Sequence, residues 1–231
     1  EKYSERVEEC IREKGAVMYL DEYRLERNSF LAALRPAVDS LLKFIEENAL
    51  MVIGMEHTID TVFPVIGAFT GSIDLLLADA DGNLVIVDMK WNEGKTYNRR
   101  LEKGNTLQLA LYRKAMETDG HKVVCEGYFV LPQRKFLTSV DYLQPSDIVE
   151  IIEGEQFGDH FELACNSYEY RMEQIEQGII EEAEGFSLAD IQYHKDANTR
   201  RLYPLERAYE DDTTKSSPYG TPNLILKGGL A

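Results

Sequence analysis

Several features that would fix the class of this 231-residue chain at once are missing or scarce. It has only three cysteines, far apart and odd in number, so they predict neither a disulfide framework nor a metal knuckle. No apolar run approaches the length of a bilayer, and no signal peptide opens the sequence. We therefore expect a cytoplasmic protein without a membrane partner. Because the sequence begins with Glu1 rather than Met, we also expect it to be a piece of a longer protein.

Basic residues are scarce too, with 25 Lys and Arg against 41 Asp and Glu and a formal net charge of −16. A general polyanion binder would carry the opposite balance. One basic island runs from Lys90 to Lys103, whereas from Glu150 to Glu184 the only base is Arg171. The island either holds a phosphate backbone or is a solvated loop. The acidic stretch is either an interaction surface or a solvated helix face.

The sequence does contain a strong hairpin pattern. Two apolar runs, Ile73–Ala78 and Leu84–Val87, flank the turn-forming segment Asp79–Asn83. If the turn is centred on its middle residue, Asp74 and Asp88 face each other across the two strands. Like charges in that arrangement destabilise a sheet, and a buried unpaired charge is costly. A divalent cation between the two carboxylates removes both penalties, because hard oxygen ligands suit magnesium or manganese.

An amine and a helix complete this candidate site. Strand alternation places Lys90 on the same face as Asp88. A helix is predicted from Thr106 to Thr118, and on it Gln108 and Tyr112 are four residues apart and project from one face. Two carboxylates and an amine around a metal ion are the groups that phosphodiester hydrolysis needs.

Three short motifs follow one another on predicted strand, strand and helix, namely Gly71-x-x-Asp74, Asp88-x-Lys90 and Gln108-x-x-x-Tyr112. Their order resembles the PD-(D/E)xK nuclease superfamily, and more closely its RecB-like branch of helicase–nuclease domains and CRISPR-associated exonucleases. The resemblance implies an α/β, restriction-endonuclease-like core with a mixed central sheet flanked by helices. It also implies a metal-dependent DNA nuclease, such as the exonuclease module of a helicase–nuclease or DNA repair system, with a helicase or another repair subunit as partner.

The resemblance implies roles for the first two motifs. Asp74 and Asp88 would hold one or two Mg²⁺ or Mn²⁺ ions, with the backbone carbonyl of Met89 as a further ligand. Lys90 would orient or deprotonate the attacking water, or stabilise charge on the phosphate. Many RecB-like nucleases also carry a four-cysteine iron–sulfur cluster with three ligands near the C-terminus. No cysteine follows Cys165, so no such cluster is expected.

The remaining site predictions leave alternatives open. Gln108 would orient the lysine or a phosphate and Tyr112 would touch the strand backbone, but Asn105-x-x-Gln108 is also a capping box and Tyr112 an ordinary half-buried aromatic. Family members often supply another metal ligand from upstream, commonly a histidine. Between Glu56 and His57 we favour Glu56, because a third carboxylate suits a hard cation, although either side chain could simply face solvent.

The DNA contacts are predicted from the residues that follow the lysine. Lys95, Arg99 and Arg100 would hold the backbone through contacts that carry no sequence information. Trp91, the only tryptophan, would stack on a base or cover an edge of the core. Two other hypotheses stay open: a catalytically inactive DNA-binding or scaffolding domain of the same fold, and an unrelated mixed α/β domain in which the motifs are coincidental.

We predict a single domain with four segments: N-terminal helices over 1–48, the nuclease core over 49–145, an acidic helical extension over 146–210, and a loose tail over 211–231. Pro36 is predicted to start a second helix or kink the first. The other expected elements are strands over Met51–Ile59, Val62–Ile66, Lys122–Val130 and Lys135–Tyr142, a polar loop over Asn92–Asn105, and helices over Ser146–Ile152 and Glu155–Glu184.

Overall fold

The computed structural model describes residues 2–91, 94–104, 106–154 and 160–178. Its strands are β1 (Met51–Phe63), β2 (Gly67–Ala78), β3 (Leu84–Lys90), β4 (Val123–Val130), β5 (Lys135–Thr138) and β6 (Val149–Ile151). Its α-helices are α1 (Lys2–Lys14), α2 (Arg24–Glu47), α3 (Gly94–Glu102), α4 (Leu107–Thr118) and α5 (His160–Glu176). Two short 3₁₀ helices, Ala16–Tyr19 and Asp21–Tyr23, join α1 to α2.

The strands form one sheet in the order β1-β2-β3-β4-β5-β6. The β3–β4 and β5–β6 pairs are parallel and the others are antiparallel. Because parallel neighbours need a long crossover, α3 and α4 lie between β3 and β4 in the chain. The predicted α/β class, with a mixed sheet flanked by helices, is confirmed.

The β2–β3 hairpin forms as predicted. Its register pairs Leu75 with Val87, so the connecting loop is centred on Asp81. Gly82 of this loop has a φ of 81°, a left-handed conformation that glycine adopts without steric cost. The Asp79 carboxylate accepts hydrogen bonds from two backbone N–H groups of the loop and rigidifies it.

Alternation along β3 divides the interior into two cores. Val85 and Val87 pack in a cluster that contains Phe44 of α2. Ile86 packs in another cluster, with Tyr112 and Met116 of α4. The sheet therefore has an α2 face and an α4 face, and β3 is buried on both. Val85, Ile86 and Val87 are all fully buried.

Two predictions about the first strands and the loop after β3 are wrong. β1 is one strand through Phe63 rather than two, because its pairing with β2 continues to the Phe63–Gly67 pair. The predicted loop over Asn92–Asn105 contains α3, whose Tyr97 and Leu101 are buried in a cluster against the sheet. Their four-residue spacing is that of one helix face, and polar neighbours obscured it in the sequence.

Two further predictions are corrected. Pro36 starts no second helix, since α2 continues through it. Ser146 does not cap a helix. Its Oγ accepts hydrogen bonds from the N–H groups of Ile148 and Val149, and the chain then enters β6 beside β5. A serine that binds nearby backbone N–H groups serves a turn as well as a helix start, so local pattern could not separate the two.

The acidic extension is described only in part. α5 accounts for His160–Glu176 of the helix predicted over Glu155–Glu184. Residues 155–159 and everything from 179 onward, including the predicted tail, lie outside the described residues, so the segment boundaries beyond 146 stay predictions. Among the described helices, none combines the length and the apolar character needed to cross a bilayer.

Candidate active site

The C-terminal end of β3 gathers the predicted catalytic groups. Asp88 and Lys90 share the α4 face with Ile86 by alternation. The β2–β3 ladder ends at Leu75–Val87, one pair before Asp74 and Asp88 would meet. The two carboxylates still approach each other closely enough for Asp74 to raise the pKa of Asp88.

Asp88 carries a buried and poorly compensated charge. Its residue is 1% exposed, and Oδ2 lies 2.5 Å from Nζ of Lys90. Burial raises the pKa of Asp88, the lysine lowers it, and the neighbouring Asp74 raises it again. The close contact with the lysine ammonium is the main compensation of this charge, and it brings Oδ2 no hydrogen bond of good geometry within the described residues. Two acids and one base at this position leave an excess of negative charge.

Asp74 is held by the strand beside it. Its Oδ2 accepts a 2.6 Å hydrogen bond from the backbone N–H of Met89, at the point where β2 and β3 stop pairing. The carboxylate thus takes the place of a ladder partner and is fixed in orientation. Met89 contacts the site through its N–H, and its carbonyl as a metal ligand stays a prediction.

Gln108 and Tyr112 project from α4 toward this site. Nζ of Lys90 donates to Oε1 of Gln108 at 3.4 Å, and Nε2 of Gln108 donates to the Tyr112 hydroxyl at 3.0 Å. The helix begins after Thr106, whose side chain makes no cap hydrogen bond, and Asn105 lies outside the described residues. These contacts favour the interpretation in which Gln108 orients the lysine over the capping alternative.

The glycine of the first motif has a steric reason. A Cβ at Gly71 would lie 3.1 Å from Cε1 of Tyr112 and 3.3 Å from Cζ of Phe69. These contacts are tighter than ordinary van der Waals separation, so glycine lets the Tyr112 ring lie directly on the β2 backbone. Tyr112 thus lies beside the strand, and its role in the site stays a prediction.

The upstream candidates are placed less favourably. Glu56 is exposed, with a φ of 48°, and its Oε2 accepts a 3.2 Å hydrogen bond from Ser72. In the β1–β2 register Glu56 lies between the pairs Met55–Leu75 and His57–Ile73, and Asp74 lies between the same pairs on β2. In the described part of the chain, no three or more His, Cys, Asp or Glu side chains form a group that could hold a metal. Neither Glu56 nor His57 therefore joins the aspartate pair here, and the Glu56 ligand stays a prediction.

Strand irregularity explains why the sequence could not choose between the upstream candidates. Ile73 and Leu76, an odd and an even position, both pack in the cluster on the α4 face. Side chains of β2 therefore do not alternate regularly between the two faces near Asp74. Glu56, at the same level of β1, has a left-handed backbone conformation. Predicting which face a side chain occupies assumes a regular strand. Beyond an irregularity of this kind, the prediction no longer holds.

The pair of aspartates fits a magnesium-type ion. Such ions are usually held by one or two carboxylates and complete their shell with water and substrate phosphate oxygens. Asp74 and Asp88 supply two hard oxygen donors, and among the described residues their Oδ2 atoms contact the Met89 N–H for Asp74 and the Lys90 ammonium for Asp88. A divalent cation would offset the excess negative charge that this pair creates.

The predicted DNA contacts separate into two groups. Lys95, Arg99 and Arg100 all lie on α3, with the first two exposed and the guanidinium of Arg100 5.7 Å from the ring centre of Tyr97. Trp91 is 40% exposed and packs on Phe30 of α2, with ring centres 4.9 Å apart. Because α2 covers the opposite face of the sheet, this contact favours the interpretation in which Trp91 covers the core.

Sequence analysis missed a second, partly buried ion pair, formed by Arg113 of α4 and Glu126 of β4. Arg113 donates through Nε to Oε2 of Glu126 at 2.9 Å and through a terminal nitrogen to the carbonyl of Val123 at 2.6 Å. A cavity of about 320 Å³ adjoins the pair and is also lined by Thr106 and His160. Arg113 and Glu126 are 13 residues apart on different elements, a spacing no local pattern detects.

A family model described as the PD-(D/E)XK nuclease superfamily matches residues 1–196 of the chain. The matched range contains all the predicted site residues. Members of this superfamily hydrolyse phosphodiester bonds, generally with divalent metal ions. The match does not distinguish branches within the superfamily. No curated protein matches the chain.

Proposed function

Because the chain belongs to the PD-(D/E)XK nuclease superfamily, we propose that it is a Mg²⁺- or Mn²⁺-dependent nuclease that cleaves DNA at the site formed by Asp74, Asp88 and Lys90. The observation that carries this proposal is the buried Asp88–Lys90 pair with a second carboxylate beside it. The order of the three motifs supports the RecB-like branch. On that basis the chain is the exonuclease module of a helicase–nuclease or DNA repair system.

The aspartates would hold the ion, with the Met89 carbonyl and Glu56 as further candidate ligands. A bound divalent ion supplies Lewis-acid polarisation of a phosphoryl oxygen and a more acidic water. In hydrolysis the water oxygen bonds to phosphorus, one P–O ester bond breaks, and the leaving oxygen takes up a proton. Asp88 and Gln108 hold the Lys90 ammonium at the C-terminal end of β3, where it can donate to the phosphate or to the attacking water.

The basic helix α3 would bind the substrate backbone. Lys95 and Arg99 are exposed on α3, the helix that follows the catalytic lysine in the chain. Contacts of this kind position the nucleic acid without reading its sequence. Trp91 is not included in this surface, because its ring lies against α2.

Cleavage of linear single- and double-stranded DNA with magnesium or manganese tests the proposal. Asp88→Ala and Lys90→Ala should abolish turnover. The control variant Asp119→Asn, at an exposed position just after α4, should cleave like the wild type. Cleavage that persists in Asp88→Ala would refute the assigned site.

A second candidate is a DNA-binding or scaffolding domain that keeps the fold but does not cleave. It is favoured by the lack of a third acidic or histidine ligand beside the aspartates among the described residues. Divalent-ion and DNA binding without turnover, measured by calorimetry on the same preparations, would select this candidate.

A further inference from the structure

We infer that Tyr128 is a positioning residue for Lys90, and that Tyr97 extends the same aromatic support to the basic helix α3. The inference rests on the nuclease function proposed above. It adds two residues outside the three motifs, and it assigns them a role in holding the lysine rather than in contacting substrate.

The ring of Tyr128 lies beneath the lysine. Nζ of Lys90 is 5.9 Å from the ring centre, within the range in which an ammonium group is attracted to an aromatic face. The parallel β3–β4 register pairs Tyr128 with Asp88, so the ring and the carboxylate stand side by side. Tyr128 is 1% exposed, and the protein interior fixes its position.

An aromatic face suits this position for a chemical reason. Lys90 has a long flexible side chain, and holding it in one place costs conformational entropy. A further carboxylate could hold it too, but would add negative charge to a site where two aspartates already converge. The ring quadrupole attracts the cation without accepting one of its N–H groups. The ammonium therefore keeps donors available for a phosphate oxygen or a water.

The support continues from the sheet to α3. The Tyr97 ring is 5.0 Å from that of Tyr128, with a 44° angle between the planes, and Tyr97 is 6% exposed. The guanidinium of Arg100 is 5.7 Å from the Tyr97 ring centre, one helical turn along α3. Two packed rings, tilted against each other, thus carry a cation at each end. This arrangement fixes the separation between Lys90 and Arg100, and we expect Arg100 to contact a phosphate near the scissile one.

Kinetics of paired variants test the role. Tyr128→Leu should lower kcat by roughly 2- to 30-fold while KM changes by less than about twofold, because the lost attraction acts on the lysine and not on binding. Tyr128→Phe keeps the ring and should restore kcat. The matched control is Phe129→Leu, since Phe129 is the next residue on β4, equally buried, and packs on the α2 face. It should lose stability without losing kcat in the folded fraction.

An NMR readout tests the contact without catalysis. Reductive ¹³C-methylation keeps the lysine charge, and the Lys90 methyl signal is the one missing in Lys90→Arg. We expect this signal upfield of the other lysines in the wild type and in Tyr128→Phe, and shifted back in Tyr128→Leu. A signal that stays in place in Tyr128→Leu, or a Tyr128→Phe enzyme as slow as Tyr128→Leu, would overturn the inference. A wild-type protein that cleaves no DNA would refute only the proposed function.

Discussion

Two acid–base pairs, one buried and one partly buried, lie on the α4 face of the same sheet, and they differ in how completely their charges are compensated. Burial raises the pKa of both Asp88 and Glu126. Glu126 lies on β4 beside Ile86 of β3, two residues before Asp88. The two acids therefore share one face of the sheet, although the Asp88 side chain is 2% exposed and that of Glu126 18%.

The bases of the two pairs differ in how many of the nearby acids they bind. Arg113 binds Glu126, Glu117 and the carbonyl of Val123, so one forked guanidinium donates to both nearby acids and to the strand. Lys90 instead forms an ion pair with Asp88, and Asp74 adds a second negative charge nearby. An acid whose negative charge is bound by an arginine in this way has a structural role. A pair with excess charge can bind a cation, which is why we assign the chemistry to the second.

The largest expected difference between the pairs is in cleavage. Asp88→Asn should reduce the single-turnover rate by roughly a hundredfold to ten-thousandfold, because it removes a ligand of an ion that supplies several kcal/mol of transition-state stabilisation. Glu126→Gln should leave the rate of the folded protein within about threefold of wild type. Equal losses in the two variants would end the distinction between a catalytic and a structural pair.

Stability should respond in the other pair. Arg113→Met leaves Glu126 without its partner and should cost about 1–3 kcal/mol, less than a fully buried pair because both side chains keep some solvent contact. Adding Glu126→Leu removes the stranded charge and should recover most of that loss. Urea unfolding of the single and double variants measures both steps. A double variant as unstable as Arg113→Met would show that packing of the arginine, not its charge, is what matters.

Metal binding gives a smaller but selective effect. A Mg²⁺ concentration about tenfold above Kd should stabilise the wild type by ~1.4 kcal/mol. Asp74→Asn should lose this increment and Glu126→Gln should keep it. Thermal melts with and without the ion provide the measurement, with EDTA as the metal-free reference. If Glu126→Gln alone lost the stabilisation by Mg²⁺, the ion would bind at the Glu126 pair and not at the aspartates.

The smallest expected effect is on the pH dependence of stability. The folded-state pKa of Glu126 is raised above its ordinary value of 4.5, so in the window above that value the native state binds more protons than the unfolded state. Stability should then fall as the pH rises through this window. Glu126→Gln should flatten that part of the profile, and Asp88, whose pKa is also raised by burial, should supply the remaining slope. A steeper profile in Glu126→Gln would contradict the sign.

Local patterns predicted the parts of the site that depend on neighbouring residues. The hairpin centred on Asp81 follows from turn chemistry, and Lys90 beside Asp88 follows from strand alternation. The same reasoning missed α3, where polar residues surround the buried Tyr97. It also misread the segment after Ser146, because a serine hydroxyl binds backbone N–H groups in turns and helix starts alike.

By itself, the sequence determined which chemical groups are present and on which strand or helix each of them lies. Only the tertiary structure decided how each charge is compensated. Lys90 meets Gln108 across 18 residues, and Arg113 meets Glu126 across 13. Desolvation depends on all the atoms around a group, whatever their distance along the chain. That is why the negative charge of Asp88 and Asp74 can bind a cation, whereas that of Glu126 is bound by Arg113.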